Sequence, residues 1–358
     1  MSIRKKRLAI LTGGGPAPGF NAVIYGAAKA ALDAGWEVLG IRDGWKGVLD
    51  GRTMELDYTA IEGIQIRGGT ILGTSRTNLA KVKVGKQTVD KIAEGAGLIR
   101  EMGLDALIAN GGEDTISVAE RLWQEHQIPV ICTPKTIDGD VCGTERTYGL
   151  DTAANWVGRA IAGLHEDFAS THYVAVVEVM GRKAGWLPLY GGIAGGAHMI
   201  LVPEFPRTIE DICQNVARIY KQFGYCIIAV AEELNMDDLA GHISESGGAD
   251  NFGHAQIALR EKGWAKVIAD EIVERIKLGA RPVVLGHAQR GGPPSAFDVA
   301  MCLQLGQTAF TSALHGVFGK LISWQGEKPV PVDLALAGGG KTRQVPRELY
   351  EALIATLP

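Results

Sequence analysis

The sequence predicts an α/β protein of two lobes, each built on a mainly parallel sheet. Three observations carry this. Short apolar runs alternate with helix-length patterns along nearly the whole chain. Glycine, at 48 residues, stands at about twice its average usage, as many strand-to-helix turns require. At 358 residues, the chain is also longer than one core usually serves.

Composition narrows the classes of function. An apolar content of 46% with 21% charge is that of a soluble globular chain, and disorder is not expected. The formal net charge of −4 gives no global field for nucleic acid or an anionic membrane, so any anion must be caught locally. Five cysteines without CxxC spacing predict reduced thiols used for packing, with Cys142 the most exposed in pattern. No signal peptide precedes the first strand and no apolar run approaches ~20 residues. A cytoplasmic protein that does not span a membrane is expected.

Taken in order, residues 7–12 read as a buried strand running through GGGPAPGF into an Ala-rich helix that stops near Gly35. Gly14 and Gly15 are candidate phosphate contacts there, because a missing Cβ lets a phosphate reach the backbone; a plain turn explains them equally well. Neither GxGxxG nor the GKS/GKT ending of a P-loop is present. Residues 36–43 form a second strand, and GWKGVLDG after it is expected to be loop. The polar glycine loop 67–78 carries Arg76, whose fork geometry suits a phosphate. A helix is expected near 86–102.

Residues 110–140 are the centre of the chain. An apolar run over 106–109 ends in Gly111, Gly112, Glu113, Asp114 and Thr115 and opens a helix. A second run, 128–132, ends in Pro134, Lys135, Thr136, Ile137, Asp138, Gly139 and Asp140. Two parallel strands then deliver their polar ends to one edge, which is where open α/β sheets bind ligands. Glu113 and Asp114 serve equally as helix-start acids or as oxygen ligands for a hard cation. Asp138 and Asp140 fit a turn. Lys135 beside four acids points instead to a transferred phosphoryl group, and the reading is a phosphoryl-transfer site.

The second lobe is expected to start with the helical segment 150–170. Residues 173–197 repeat the strand, polar glycine turn and helix, with Met180, Gly181 and Arg182 at the turn. Two more strands follow, the second (225–234) ending in Glu232. The polar stretch 235–256 is expected to be a mobile or inserted loop. A helix at 257–277 precedes a strand flanked by Arg281, His287 and Arg290, donors that converge at a strand end and suit a phosphate ester. Roughly the last 40 residues alternate short strand and helix signals and carry no obvious chemistry.

GGGPAPG, GGTILGTSR, GGEDT, PKTIDGD, EVMGRKAGW, AVAEE and VVLGHAQRGG stand in one order. With them the chain resembles the phosphofructokinase superfamily from the first strand to about residue 310. The resemblance implies two Rossmann-like three-layer lobes with the active site in the cleft between them. Residues 1–149 with 289–335 would hold the phosphoryl donor, and 150–288 with 336–358 the sugar phosphate. It implies Asp138 as catalytic base, Thr136 bonding the substrate or the moving group, Arg76 bridging toward the transferred phosphoryl, and Glu113 as the acid of a Mg²⁺ site. Gly14, Gly15, Gly112, Asp114 and Lys135 fall on the donor side. Thr136, Asp138, Asp140, Met180, Gly181, Arg182, Glu232, Arg281, His287 and Arg290 fall on the sugar-phosphate side. Arg281 acts from a neighbouring subunit in oligomeric relatives, which implies a homodimer or homotetramer.

In ATP-using relatives the positions of Asp114 and Lys135 are glycine. Asp114 puts volume and negative charge where a nucleotide α-phosphate would lie, while Lys135 offers a cation to a short inorganic donor. The pair is similar to the pyrophosphate-dependent branch of the family. This implies pyrophosphate with Mg²⁺ as donor and fructose 6-phosphate as acceptor, giving fructose 1,6-bisphosphate.

Three departures bear on that reading. Tyr173 stands where many relatives carry an arginine for the 6-phosphate, Gly139 replaces an asparagine and is expected to loosen the turn that aims Asp138, and Pro16 fills an acidic position of the first loop. An acceptor such as sedoheptulose 7-phosphate or a polyol is therefore the alternative, and a non-catalytic sugar-phosphate-binding subunit is the alternative of another class. Asp138, Glu113 and Lys135 are all present, which speaks for the enzyme. A Rossmann dehydrogenase is disfavoured by the missing GxGxxG.

Overall fold

Burial on both faces decides which apolar runs become strands. The computed structural model describes residues 4–85, 87–236, 238–239, 243–244, 258–259, 263–338 and 340–358. In chain order, β1 (Arg7–Thr12), α1 (Phe20–Asp33), β2 (Glu37–Ile41), α2 (Trp45–Asp50), β3 (Thr53–Glu55) and α3 (Tyr58–Ile61) come first. A hairpin of β4 (Val82–Val84) and β5 (Gln87–Val89) precedes α4 (Ile92–Glu101), β6 (Ala106–Gly111), α5 (Glu113–His126), β7 (Val130–Thr136) and β8 (Tyr148–Gly149). Then come α6 (Leu150–Ala162), α7 (His165–Thr171), β9 (Val174–Val179), α8 (Trp186–Ala194), β10 (Met199–Leu201), α9 (Ile209–Phe223) and β11 (Cys226–Ala231). The short pair β12 (Ile243–Ser244) and β13 (Ala258–Leu259) is followed by α10 (Trp264–Ile276) and β14 (Ala280–Val284). The chain ends with α11 (Ala296–Leu314), β15 (Lys320–Gln325), β16 (Lys328–Asp333) and α12 (Arg347–Ile354).

Two sheets organise these elements. The first runs β16-β15-β7-β6-β1-β2-β3, parallel from β15 to β2 and antiparallel at both rims, with β8 beside the end of β7. The second, β10-β11-β9-β14, is wholly parallel. Alternate residues of one strand serve opposite cores: Leu8 and Ile10 pack with α1 and α11, Ala9 and Leu11 with α4 and α5. In the second sheet Ala175 and Val177 face α6, α8 and α12, while Val174 and Val176 face α9 and α10. Each sheet is thus the middle of three layers, and its central strands read as continuous apolar runs. Helical patterns between parallel strands are the α/β arrangement expected.

Several local expectations are corrected. GWKGVLDG is not loop but contains α2, because Trp45 and Val48 bury their side chains and Gly47 lets the helix sit against the backbone of Arg42. The helix expected from 86 starts at Ile92, since Val82–Val84 and Gln87–Val89 pair as antiparallel strands just before it. The segment 150–170 is two helices, parted at Gly163. Most of the polar stretch 235–256 lies outside the described residues. Among the described residues no helix is long and apolar enough to cross a membrane. All five cysteines are free, and only Cys142 is not buried.

Asp298 joins the returning helix to the start of α6. Its buried carboxylate accepts hydrogen bonds from Gly149 N at 3.1 Å and Thr152 N at 3.0 Å, the orphan donors of that helix start. Asp298→Ala leaves them without a partner and is expected to cost about 2–3 kcal/mol in urea unfolding. A loss under half of that would mean water replaces the carboxylate.

Candidate active site

Register brings three strand exits together. Thr12, Asn110 and Thr133 lie side by side in β1, β6 and β7. The buried Asn110 side chain locks them, its Nδ2 donating to Leu11 O at 2.9 Å and its Oδ1 accepting from Thr133 Oγ1 at 2.6 Å. Just beyond, Gly14 and Gly15, Gly112 to Asp114, and Lys135 to Asp138 form one wall of a cleft of about 490 Å³. The opposite wall is built from the exits of the second sheet: Met180, Arg182 and Lys183 after β9, Glu232 and Glu233 after β11, and His287 and Arg290 from the turn after β14. Gln289 fixes this wall from behind. It is 1% exposed, its Oε1 accepts from Met180 N at 3.1 Å, and its Nε2 donates to Gly286 O at 2.9 Å.

Most of the residues expected from sequence meet here. Gly14, Gly15, Arg76, Gly112, Glu113, Asp114, Lys135, Thr136, Asp138, Asp140, Met180, Arg182, Glu232, His287 and Arg290 all line the cleft. Gly181 stands inside the turn with φ 137°, and the Ala184 carbonyl lies 2.8 Å from where its Cβ would be, so it contributes backbone shape. Arg281 is the exception. It sits exposed near the start of β14, while the cleft lies beyond the end of that strand, and its guanidinium is 4.6 Å from the Tyr173 ring centre. The convergence expected of Arg281 with His287 and Arg290 at one strand end therefore does not occur within the chain. Tyr173 stands beside Arg281 and does not line the cleft of its own chain.

Six carboxylates and six Lys or Arg side chains share the cleft. Lys135 is 6% exposed; its Nζ donates to Gly15 O at 2.9 Å and lies 5.2 Å from the Phe20 ring centre. Burial, with Arg290 nearby, lowers its pKa to about 8 against the pull of Asp138 and Asp140. Burial raises Asp138 to about 7, helped by Asp140 and Glu232 and opposed by Arg290 and Lys135. Glu232 is raised and Arg290 lowered, both chiefly by burial. Arg182 Nε stands 3.7 Å from Glu232 and 3.6 Å from Glu233. Asp114 occupies the first turn of α5, where the buried Asn78 donates to its Oδ1 at 3.4 Å.

Among the described residues no group of three or more His, Cys, Asp or Glu side chains has metal-holding geometry. Glu113 on the donor wall suits an ion that takes one or two carboxylates and draws the rest of its shell from water and phosphate oxygens.

The turn carrying Asp138 is not loosened by Gly139. That residue has φ 72°, a left-handed conformation that glycine adopts without strain, and a Cβ would stand 3.0 Å from Leu150 and Trp186. Asp138 N donates to Thr136 Oγ1 at 3.0 Å, and Arg343 Nη1 donates to Gly139 O at 3.1 Å. The last stretch is therefore not without chemistry, and Lys341 and Thr342 line the cleft as well. Lys183 and Glu233 were legible, since each directly follows an expected residue. Residues 341–343 carry no local signal, because what they touch lies about 200 positions away.

A family model described as Phosphofructokinase matches residues 7–313. A pyrophosphate–fructose 6-phosphate 1-phosphotransferase of Amycolatopsis methanolica is 42% identical over 346 residues, covering 96% of this chain and 98% of that one. An ATP-dependent 6-phosphofructokinase 3 of Streptomyces coelicolor is 39% identical over 330 residues, covering 92% and 94%. A solved pyrophosphate-dependent phosphofructokinase from Nitrosospira multiformis superposes with a TM-score of 0.82 over 98% of this chain and 91% of that one. At 22% identity it speaks for the fold alone.

The raised pKa of Asp138 has a consequence for stability. An unfolded aspartate ionises near 3.9, so between about pH 4 and pH 7 the unfolded chain binds fewer protons and stability falls as pH rises. Above about 7 the full cost persists. Asp138→Asn removes it, so its melting temperature should exceed that of the unaltered chain at pH 8 and approach it at pH 4. Equal differences at the two pH values would contradict the burial assigned to this carboxylate.

Proposed function

The chain belongs to the phosphofructokinase family, and from that premise we propose that it transfers a phosphoryl group from pyrophosphate to the 1-hydroxyl of fructose 6-phosphate. The products are fructose 1,6-bisphosphate and phosphate, and the reaction runs both ways. Relatives of nearly equal similarity bear the names of either donor, so similarity alone does not choose. One observation carries the choice: Asp114, held by Asn78, and Lys135, held on Gly15 O, both stand in the donor wall. The carboxylate takes room and adds repulsion where a longer polyphosphate would run, and the ammonium supplies a point charge for a short one.

Pyrophosphate lies against Gly14, Gly15 and the start of α5, where Gly112 supplies no side-chain cap and the helix N-terminus favours an anion. Fructose 6-phosphate lies against Met180, Gly181, Arg182, Glu232, His287 and Arg290. The Asp138 carboxylate accepts the hydroxyl proton as that oxygen attacks the terminal phosphorus, and the bond to the bridging oxygen breaks to release phosphate. Lys135 and Arg76 meet the negative charge on the moving group, and Thr136 sets the backbone of Asp138 while facing the substrate. Glu113 would hold Mg²⁺, which when bound adds positive charge to the pyrophosphate. In the reverse direction Asp138 returns the proton.

The donor lobe is residues 1–149 with 289–335, and the acceptor lobe 150–288 with 336–358. A homodimer or homotetramer is part of this reading: Arg281 and Tyr173, remote from their own cleft, would serve the sugar phosphate of a neighbouring subunit. Free thiols and a sugar-phosphate substrate suit the cytoplasm.

Coupled assays with fructose 6-phosphate and Mg²⁺ should give turnover with pyrophosphate and little with ATP at equal concentration; turnover with ATP alone would sink the donor assignment. Replacing Asp114 and Lys135 together by glycine should shift the ratio toward ATP. Asp138→Ala should cut kcat by about 100-fold or more, and a near-normal rate would remove it as the base. The profile of kcat/KM should rise through about pH 7 as Asp138 ionises and fall through about pH 8 as Lys135 loses its proton. A rate still climbing at pH 9 would detach Lys135 from the reaction.

A further inference from the structure

After β16 the chain comes back to the cleft and is tied down there. Thr342 bridges Val141 in antiparallel fashion, and Arg343 N donates to Asp140 O at 2.8 Å. Arg343 Nη1 reaches Gly139 O, the guanidinium lies 3.8 Å from the Trp186 ring centre, and Trp186 Nε1 donates to Arg343 O at 3.0 Å. Two residues on, Val345 N donates to Glu204 Oε1 at 3.0 Å, and the same carboxylate accepts from Gly185 N at 2.9 Å. One short segment thus bonds the turn that carries Asp138 and the turn that ends at Trp186, which belong to opposite walls.

We propose that Arg343 is a positioning residue for phosphoryl transfer, fixing the 138–140 turn so that the Asp138 carboxylate meets the acceptor hydroxyl. The proposal rests on the role given to Asp138 above. Thr136 Oγ1 grips the turn on the amide side of Asp138, and Arg343 grips it on the carbonyl side at Gly139. Gly139 has no side chain to hold the turn itself, and Trp186 occupies the space where one would go. A planar guanidinium satisfies the carbonyl and stacks on the indole at once, which an ammonium cannot do. The hydrogen bonds of this side chain and of its backbone N–H end on the 138–140 turn and not on a ladder of either sheet, so the sheets survive its loss. A misplacement of about 1 Å at a reacting group costs about 100-fold in rate, and the bond from Arg343 to Gly139 O opposes such a shift.

The test compares Arg343→Ala, Arg343→Lys and, as a control, Arg347→Ala, whose side chain is exposed and paired with Glu351. With pyrophosphate and fructose 6-phosphate, Arg343→Ala should lose about 10- to 100-fold in kcat with KM for both substrates nearly unchanged. Arg343→Lys should fall between it and the unaltered chain, and Arg347→Ala should match the unaltered chain. Amide hydrogen exchange across residues 137–142 should quicken in Arg343→Ala and stay unchanged in Arg347→Ala, whatever the substrate. A kcat within twofold of the unaltered chain, a kcat loss matched by collapse of the melting temperature, or unchanged exchange would each overturn the proposal. If the unaltered chain turns over neither substrate, the transfer reading itself fails, and the exchange measurement alone decides whether Arg343 holds the turn.

Discussion

Lys135 carries an ammonium group to a place where it is 6% exposed, at the end of a strand covered on both faces. A charge so placed is tolerable only with acceptors and opposite charge close by. Gly15 O supplies the acceptor, and Asp138 and Asp140 supply the charge. Those carboxylates are then crowded by each other and by Glu232, which is why burial and like charge push Asp138 upward. Arg290, drawn to the same spot, disfavours the protonated lysine in turn. The cleft is therefore charge-balanced in sum yet strained in detail.

The sheet makes this crowding repeatable. Asn110 ties β1, β6 and β7 at the last residues before their exits, so the glycine turn, the start of α5 and the lysine cannot slide relative to one another. A slip of one residue would turn every side chain to the other face and exchange the two cores. The same alternation that buries Leu8 on one side and Ala9 on the other thus fixes where Lys135 emerges.

The turns that face the cleft depend less on strands than on polar side chains behind them. Gln289 holds the Met180 amide, Glu204 holds the Gly185 amide, and Arg343 holds the Gly139 carbonyl. Each satisfies a backbone group that a tight turn leaves unpaired. Their work is to set the shape of turns that face the cleft.

The parallel α/β architecture was legible because strands buried on both faces read as unbroken apolar runs, and the donor wall because its residues stand within a few positions of two strand ends. Gly112 to Asp114 and Lys135 to Asp140 needed no distant partner to be found. Tertiary structure alone decided three things. Arg281, close in sequence to Arg290, lies at the other end of β14, since a strand separates by its length what the sequence sets side by side. Gly139 marks a held turn and not a loose one, because the group that holds it is Arg343. Lys341 and Thr342 reach the cleft because β15 and β16 return the chain to the first sheet. Local pattern records only the periodicity of burial and the chemistry of near neighbours. Hydrogen bonds spanning about 200 residues leave no trace until the sheets bring their ends together.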